Sequence, residues 1–119
     1  MTDRIDVPAR LDEERRAARE LLATLTRDFS GIVEASADSN ADDEHDPEGS
    51  TIAFERSQVA ALIEQARRRL VEIDAAQDRY DDGTYGLCEV CGERMPDGRL
   101  DARPTARTCV VHANRVDPT

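Results

Sequence analysis

The sequence predicts a mainly α fold: an antiparallel coiled-coil helical hairpin followed by a small cysteine-bearing domain. Three observations carry this. Apolar residues recur at steps of three and four in two long stretches that flank an acidic, aperiodic one. Three cysteines and a histidine fall into two pairs of matching spacing near the C-terminal end. With 119 residues, 39% hydrophobic content, two Phe, two Tyr and no Trp, the chain cannot build a large globular core, so it must be extended, stapled or both.

The first helix is expected to start near Pro8, whose missing amide hydrogen costs nothing in a first turn, with Asp12, Glu13 and Glu14 favouring that end of the helix dipole. Its seam is Leu11, Ala18, Leu22, Leu25, Phe29 and Ile32, with Arg15 interrupting the first interval. A second seam runs through Ile52, Val59, Ile63, Ala66, Leu70, Ile73 and Tyr80, with Arg56 and Gln77 at the intervening positions. Ser50 or Thr51 is placed to cap that helix, and Asp81-Asp82-Gly83 to end it.

Between the seams, residues 34–51 read as a loop. From Glu34 to Ser50 there are seven acidic side chains, no Arg or Lys, and no apolar periodicity; Pro47 and Gly49 interrupt any continuous helix. Two seams of similar length then pair most simply within one chain, which favours a monomer and puts the loop at the end of a rod. Seven like charges there repel one another and add nothing to a core. The organisation expected is therefore residues 1–82 as an N-terminal segment and hairpin, and residues 83–119 as the second domain.

That second domain carries the clearest chemistry. Cys88-Glu89-Val90-Cys91 and Cys109-Val110-Val111-His112 each leave two residues between ligand-type side chains, so each pair can point at one centre. Gly92 permits the tight turn that aims backbone amides at thiolate sulfur. The four side chains complete a tetrahedron with no open position, as in a structural rather than a catalytic zinc site. A redox dithiol would sit where a strand meets a helix, whereas Asp82-Gly83-Thr84-Tyr85-Gly86 and Pro96-Asp97-Gly98 are turn sequences. A disulfide framework would want a secretory context, and Met1-Thr2-Asp3-Arg4 opens a polar segment without an apolar signal core; a cytoplasmic protein is expected.

Charged residues make up 35% of the chain and the net charge is -10. No apolar run approaches the roughly 20 residues of a membrane span, so no membrane association is expected. An acidic excess argues against tight contact with a nucleic-acid backbone. In the finger, Arg94, Arg99, Arg103 and Arg107 are balanced by Glu89, Glu93, Asp97 and Asp101. A basic protein partner fits the charge better.

The run Asp82-Gly83-Thr84-Tyr85-Gly86-Leu87-Cys88-Glu89-Val90-Cys91-Gly92-Glu93, then Arg99-Leu100-Asp101-Ala102-Arg103-Pro104-Thr105-Ala106, then Cys109, resembles the zinc-finger region of the DksA/TraR family of bacterial transcription regulators. The likeness covers about the last third of the chain; the hairpin agrees in order and length. It implies the family plan of a coiled-coil hairpin, a four-ligand zinc finger and a short C-terminal helix. It also implies direct binding to RNA polymerase, with the coiled coil inserted through the secondary channel to alter initiation, no sequence-specific DNA binding and no enzymatic activity. The family's Asp-x-x-Asp-x-Ala motif at the loop corresponds here to Asp43-Glu44-His45-Asp46-Pro47-Glu48, with both aspartates matched and Glu48 in place of Ala.

Two further positions depart from the family. His112 stands where the family has a second-pair cysteine, giving a site with one negative charge fewer than four thiolates. The basic positions through which some members bind guanosine tetraphosphate fall on Gln65 and Glu72, which counts against dependence on that alarmone. Two other readings keep part of the fold: a zinc-stapled coiled-coil adaptor for another protein, and a nucleic-acid-binding finger, which the charge opposes.

Overall fold

The structure is a computed structural model that describes residues 6–39 and 47–113. Helix α1 spans Val7–Ser39, α2 spans Pro47–Asp82, α3 spans Asp97–Ala102, and a 3₁₀ turn covers Val110–His112. No described helix is long and apolar enough to cross a membrane. Among the described residues the β-type pairing amounts to one isolated antiparallel bridge, Leu87 with Arg94. The fold is thus mainly α, two long helices paired as a hairpin and followed by a small finger. The short helical elements after the hairpin are α3 and the 3₁₀ turn; a short C-terminal helix beyond residue 113 lies outside the described residues.

Both long helices reach further toward each other than the loop 34–51 allows. Helix α1 continues to Ser39, through Ala35 and Ala37, which are strong helix formers. Helix α2 begins at Pro47, because a proline in the first helical position gives up an amide that has no intrahelical partner anyway. Ser50 and Thr51 therefore lie inside α2 and do not cap it.

The start of α1 is capped by Asp6, whose carboxylate accepts the Ala9 amide at 3.2 Å while its carbonyl accepts the Arg10 amide at 2.8 Å. The end of α2 is closed at Gly83. Its φ of +83° is a left-handed conformation that only glycine adopts freely. The Gly83 amide returns to the Tyr80 carbonyl at 3.2 Å and the Thr84 amide to the Arg79 carbonyl at 2.9 Å, the paired bonds of a Schellman motif.

Two compact units share the helices: Met1–Arg15 with Val71–Thr119, and Arg16–Leu70. In the second unit, Leu25, Ile63 and Ala66 are buried against one another, with Leu22, Phe29 and Val59 packed around them. In the first, Leu11, Ile73 and Ala76 are fully buried. Burying a leucine or isoleucine contributes about 1.5–3 kcal/mol each. Arg15, the polar interruption of the first seam, keeps its stem covered and its guanidinium paired to Asp12 at 2.8 Å and Asp74 at 3.2 Å.

One seam position departs from the pattern. Ala76 is buried, whereas Tyr80 is exposed and stands edge-on to Tyr85, with ring centroids 6.1 Å apart. A small alanine carries little weight in an apolar periodicity, and a tyrosine near a helix end satisfies it without being buried.

Candidate metal centre

The finger is assembled by three segments. Tyr85 to Met95 form a narrow turn closed by Cys88 amide to Glu93 carbonyl at 2.9 Å and Met95 amide to Gly86 carbonyl at 2.7 Å. Helix α3 follows, and the chain then returns through Arg103–Thr108 to the second ligand pair. Met95, Leu100 and Ala106 form the core of this unit, with Tyr85 and Cys109 packed against it. Pro104 is fully buried, and its carbonyl accepts the Tyr85 hydroxyl at 2.7 Å.

Backbone carbonyls of the returning segment are held by arginines. Arg79 of α2 donates to the Thr105 carbonyl at 3.3 Å, and Arg99 of α3 donates through Nε to the Thr108 carbonyl at 2.9 Å. Glu89 donates its amide to the Arg107 carbonyl at 2.9 Å, while its carboxylate pairs with the Arg107 guanidinium at 3.0 Å. These bonds tie the first ligand turn to the returning segment that carries the second. Desolvation lowers the Arg79 pKa from its ordinary value, with Glu89 opposing the shift.

Cys88, Cys91, Cys109 and His112 meet at one place, their ligand atoms all within 4.8 Å of one another. Cys88 is buried, Cys109 and His112 are half-buried, and Cys91 is exposed. His112 Nδ1 lies 3.2 Å from Cys109 Sγ and 3.8 Å from Cys88 Sγ. A tetrahedral zinc with bonds of about 2.3 Å to sulfur and 2.0–2.1 Å to nitrogen separates its ligand atoms by about 3.6–3.8 Å. The cluster fits zinc. It also fits the chemistry: three soft thiolates and an imidazole close the coordination shell and leave no position for substrate.

The environment of the sulfurs favours a bound cation. Burial acts to raise the Cys88 thiol pKa, but amides of Cys91, Cys109 and Val90 and the Cys91 side chain outweigh it and bring the thiol down to about 6. The Val90 amide stands 3.4 Å from that sulfur. For Cys91 the Glu93 amide acts to lower the pKa, yet desolvation and the neighbouring Cys88 and Cys109 sulfurs leave it raised. One sulfur is thus prepared as a thiolate and the next resists a second uncompensated charge, a balance that a divalent ion resolves. Gly92, at φ +75°, makes the turn after Cys91 that this arrangement uses.

All four sequence-derived ligands converge, and zinc is the metal they suit. Asp43 and Asp46 lie outside the described residues. The sequence reading missed the residues that hold the finger in shape: Tyr85 on Pro104, Arg79 on Thr105 and Arg99 on Thr108. A tyrosine and two arginines in a polar segment give no periodicity, and their partners are backbone carbonyls that leave no mark in the sequence.

Residues 83–111 match the prokaryotic dksA/traR C4-type zinc finger family. The chain is 36% identical over 76 residues to the uncharacterized protein YteA of Bacillus subtilis, 64% of this chain and 32% of that one. It is 45% identical over 52 residues to the RNA polymerase-binding transcription factor DksA of Caulobacter vibrioides, 44% of this chain and 37% of that one. The chain thus matches about a third of the length of these curated relatives. Among solved structures, transcription factor DksA2 of Pseudomonas aeruginosa superposes with a TM-score of 0.53 at 26% identity, covering 90% of this chain and 82% of that one.

Proposed function

The chain carries a DksA/TraR-family zinc finger, and from that premise we propose that it regulates transcription by binding bacterial RNA polymerase directly. The observation that carries this reading is the match of the finger together with the helical hairpin, the combination shared with the transcription factor DksA2 fold. Relatives named RNA polymerase-binding transcription factors support it. In this reading the two helices enter the polymerase secondary channel and the acidic segment between them, with Asp43 and Asp46, contacts the region of the active centre. A charge of -10 suits a channel lined by basic side chains and magnesium, where attraction over short distances is poorly screened.

Zinc is structural here, and the carboxylates bias polymerase conformation without performing chemistry of their own. The protein acts as a cytoplasmic monomer without sequence-specific DNA contacts and is no enzyme. The test is co-purification with RNA polymerase, in competition with a Gre factor, followed by transcription with Asp43→Ala plus Asp46→Ala. Binding that Gre displaces, and loss of regulation with unchanged folding in the double variant, are expected. A pull-down that lacks polymerase subunits favours the adaptor reading; a double variant that regulates normally removes the aspartates from the mechanism.

A further inference from the structure

We propose that His112 holds the metal through Nδ1 and turns Nε2 outward as a fixed hydrogen-bond donor on the finger surface. The inference concerns the metal centre and does not depend on RNA polymerase being the partner.

The geometry comes from the turn. The His112 amide donates to the Cys109 carbonyl at 3.0 Å, closing the 3₁₀ turn Val110–His112 and folding the imidazole back over Cys109. In that position Nδ1 approaches both Cys109 Sγ, at 3.2 Å, and Cys88 Sγ, at 3.8 Å. These two distances bracket the sulfur-to-nitrogen edge of about 3.6 Å expected for tetrahedral zinc. Nδ1 lies two bonds from Cβ, one more than a cysteine sulfur, and Nε2 lies three. Nε2 sits across the ring and would overshoot a centre shaped by three Cys side chains. A histidine three residues after a cysteine ligand therefore replaces a thiolate most economically through Nδ1.

The consequence falls on the other nitrogen. A neutral imidazole bound through Nδ1 carries its proton on Nε2. Metal-held imidazoles generally pass that hydrogen to a carboxylate, a carbonyl or water. Among the described residues, the His112 ring meets the Cys88 and Cys109 sulfurs through Nδ1, and the side chain is half-exposed beside the exposed Val110 and Val111. The metal-loaded finger thus presents an oriented N–H donor flanked by apolar side chains, suited to an acceptor oxygen on solvent or a bound protein.

Cadmium-113 exchanged into the full chain carrying His45→Gln, which leaves one imidazole, tests the assignment by nuclear magnetic resonance. Ligation through Nδ1 gives metal coupling to Hε1 alone. Coupling to both Hε1 and Hδ2 would mean ligation through Nε2 and overturn the proposal. Absence of coupling in protein holding one cadmium per chain would overturn it too, by removing His112 from the ligand set. On the zinc-loaded protein, long-range proton–nitrogen correlation gives an independent reading. Hδ2 must correlate strongly with a protonated nitrogen; a strong correlation with a metal-bound nitrogen contradicts the proposal.

Discussion

The Tyr85 hydroxyl donates to the Pro104 carbonyl at 2.7 Å, joining the residue that leads into the first ligand pair to the segment that returns toward the second. Pro104 is fully buried, so its carbonyl depends on this donor. Tyr85→Phe keeps the ring on the finger core and removes only the bond. A loss of about 1–2 kcal/mol is expected, as for a buried acceptor left unsatisfied, read as a lower denaturant midpoint for the zinc-loaded finger. A midpoint equal to wild type would show that water replaces the hydroxyl.

Zinc removal separates the finger from the helices. The cluster of Leu25, Ile63 and Ala66 is built without any metal ligand, so chelation is expected to preserve most of the helical circular dichroism. The finger should lose its proteolytic protection near Arg94 and Arg107. Purified protein should hold one zinc per chain by atomic spectroscopy, and Cys88→Ser should lower that occupancy sharply. Full occupancy in Cys88→Ser would contradict the four-ligand site.

Acid opposes the metal, with a sign set by Cys88. Its thiol falls from an ordinary 9.0 to about 6 in the folded chain. In the metal-free protein this depressed acid stabilises the fold fully above pH 9.0, progressively less toward about 6, and not at all below. Metal binding requires this thiolate and those of Cys91 and Cys109, so protons compete with zinc, and its release to a chromogenic chelator should rise as pH falls. Release that is flat between about pH 8 and 5 would contradict the assignment.

Ile73→Ala and Phe54→Ala should behave oppositely although both are large apolar residues of α2. Ile73 has no exposure and Phe54 is 63% exposed. The first is expected to cost about 2–5 kcal/mol and the second within about 0.5 kcal/mol, compared by urea unfolding. Equal effects would mean that Phe54 is covered in solution.

Gly83→Ala tests the end of α2. The left-handed backbone at φ +83° costs an L-residue about 1–2 kcal/mol, although a Cβ there would meet nothing within 4 Å. A drop in thermal midpoint without loss of zinc is expected. An unchanged midpoint would show that the turn relaxes into another conformation.

Much of this architecture is legible in the residues because its causes are local. Two matched ligand spacings need only a turn each, and the steps of three and four that expose Leu25 and Ile63 as core are properties of one helix face. What escaped was set elsewhere. Pro47 reads as a breaker until its place in the first turn of α2 is seen, and Ala76 is too small to announce its burial. Leu100 and Pro104 have neighbours distant in sequence, so their roles appear only when α3 and the returning segment are folded on Met95 and Tyr85.

The Arg79 carbonyl accepts the amides of Thr84 and Tyr85, at 2.9 and 3.0 Å, and the Thr84 hydroxyl at 3.4 Å, while its guanidinium reaches Thr105. The last turn of α2 therefore cannot fray independently of the finger that follows. Solvent exchange of the Thr84 and Tyr85 amide hydrogens becomes a gauge of metal occupancy, slow when the finger is loaded and fast when it is stripped. One residue at a helix end thus turns the loss of an ion into a change in backbone opening.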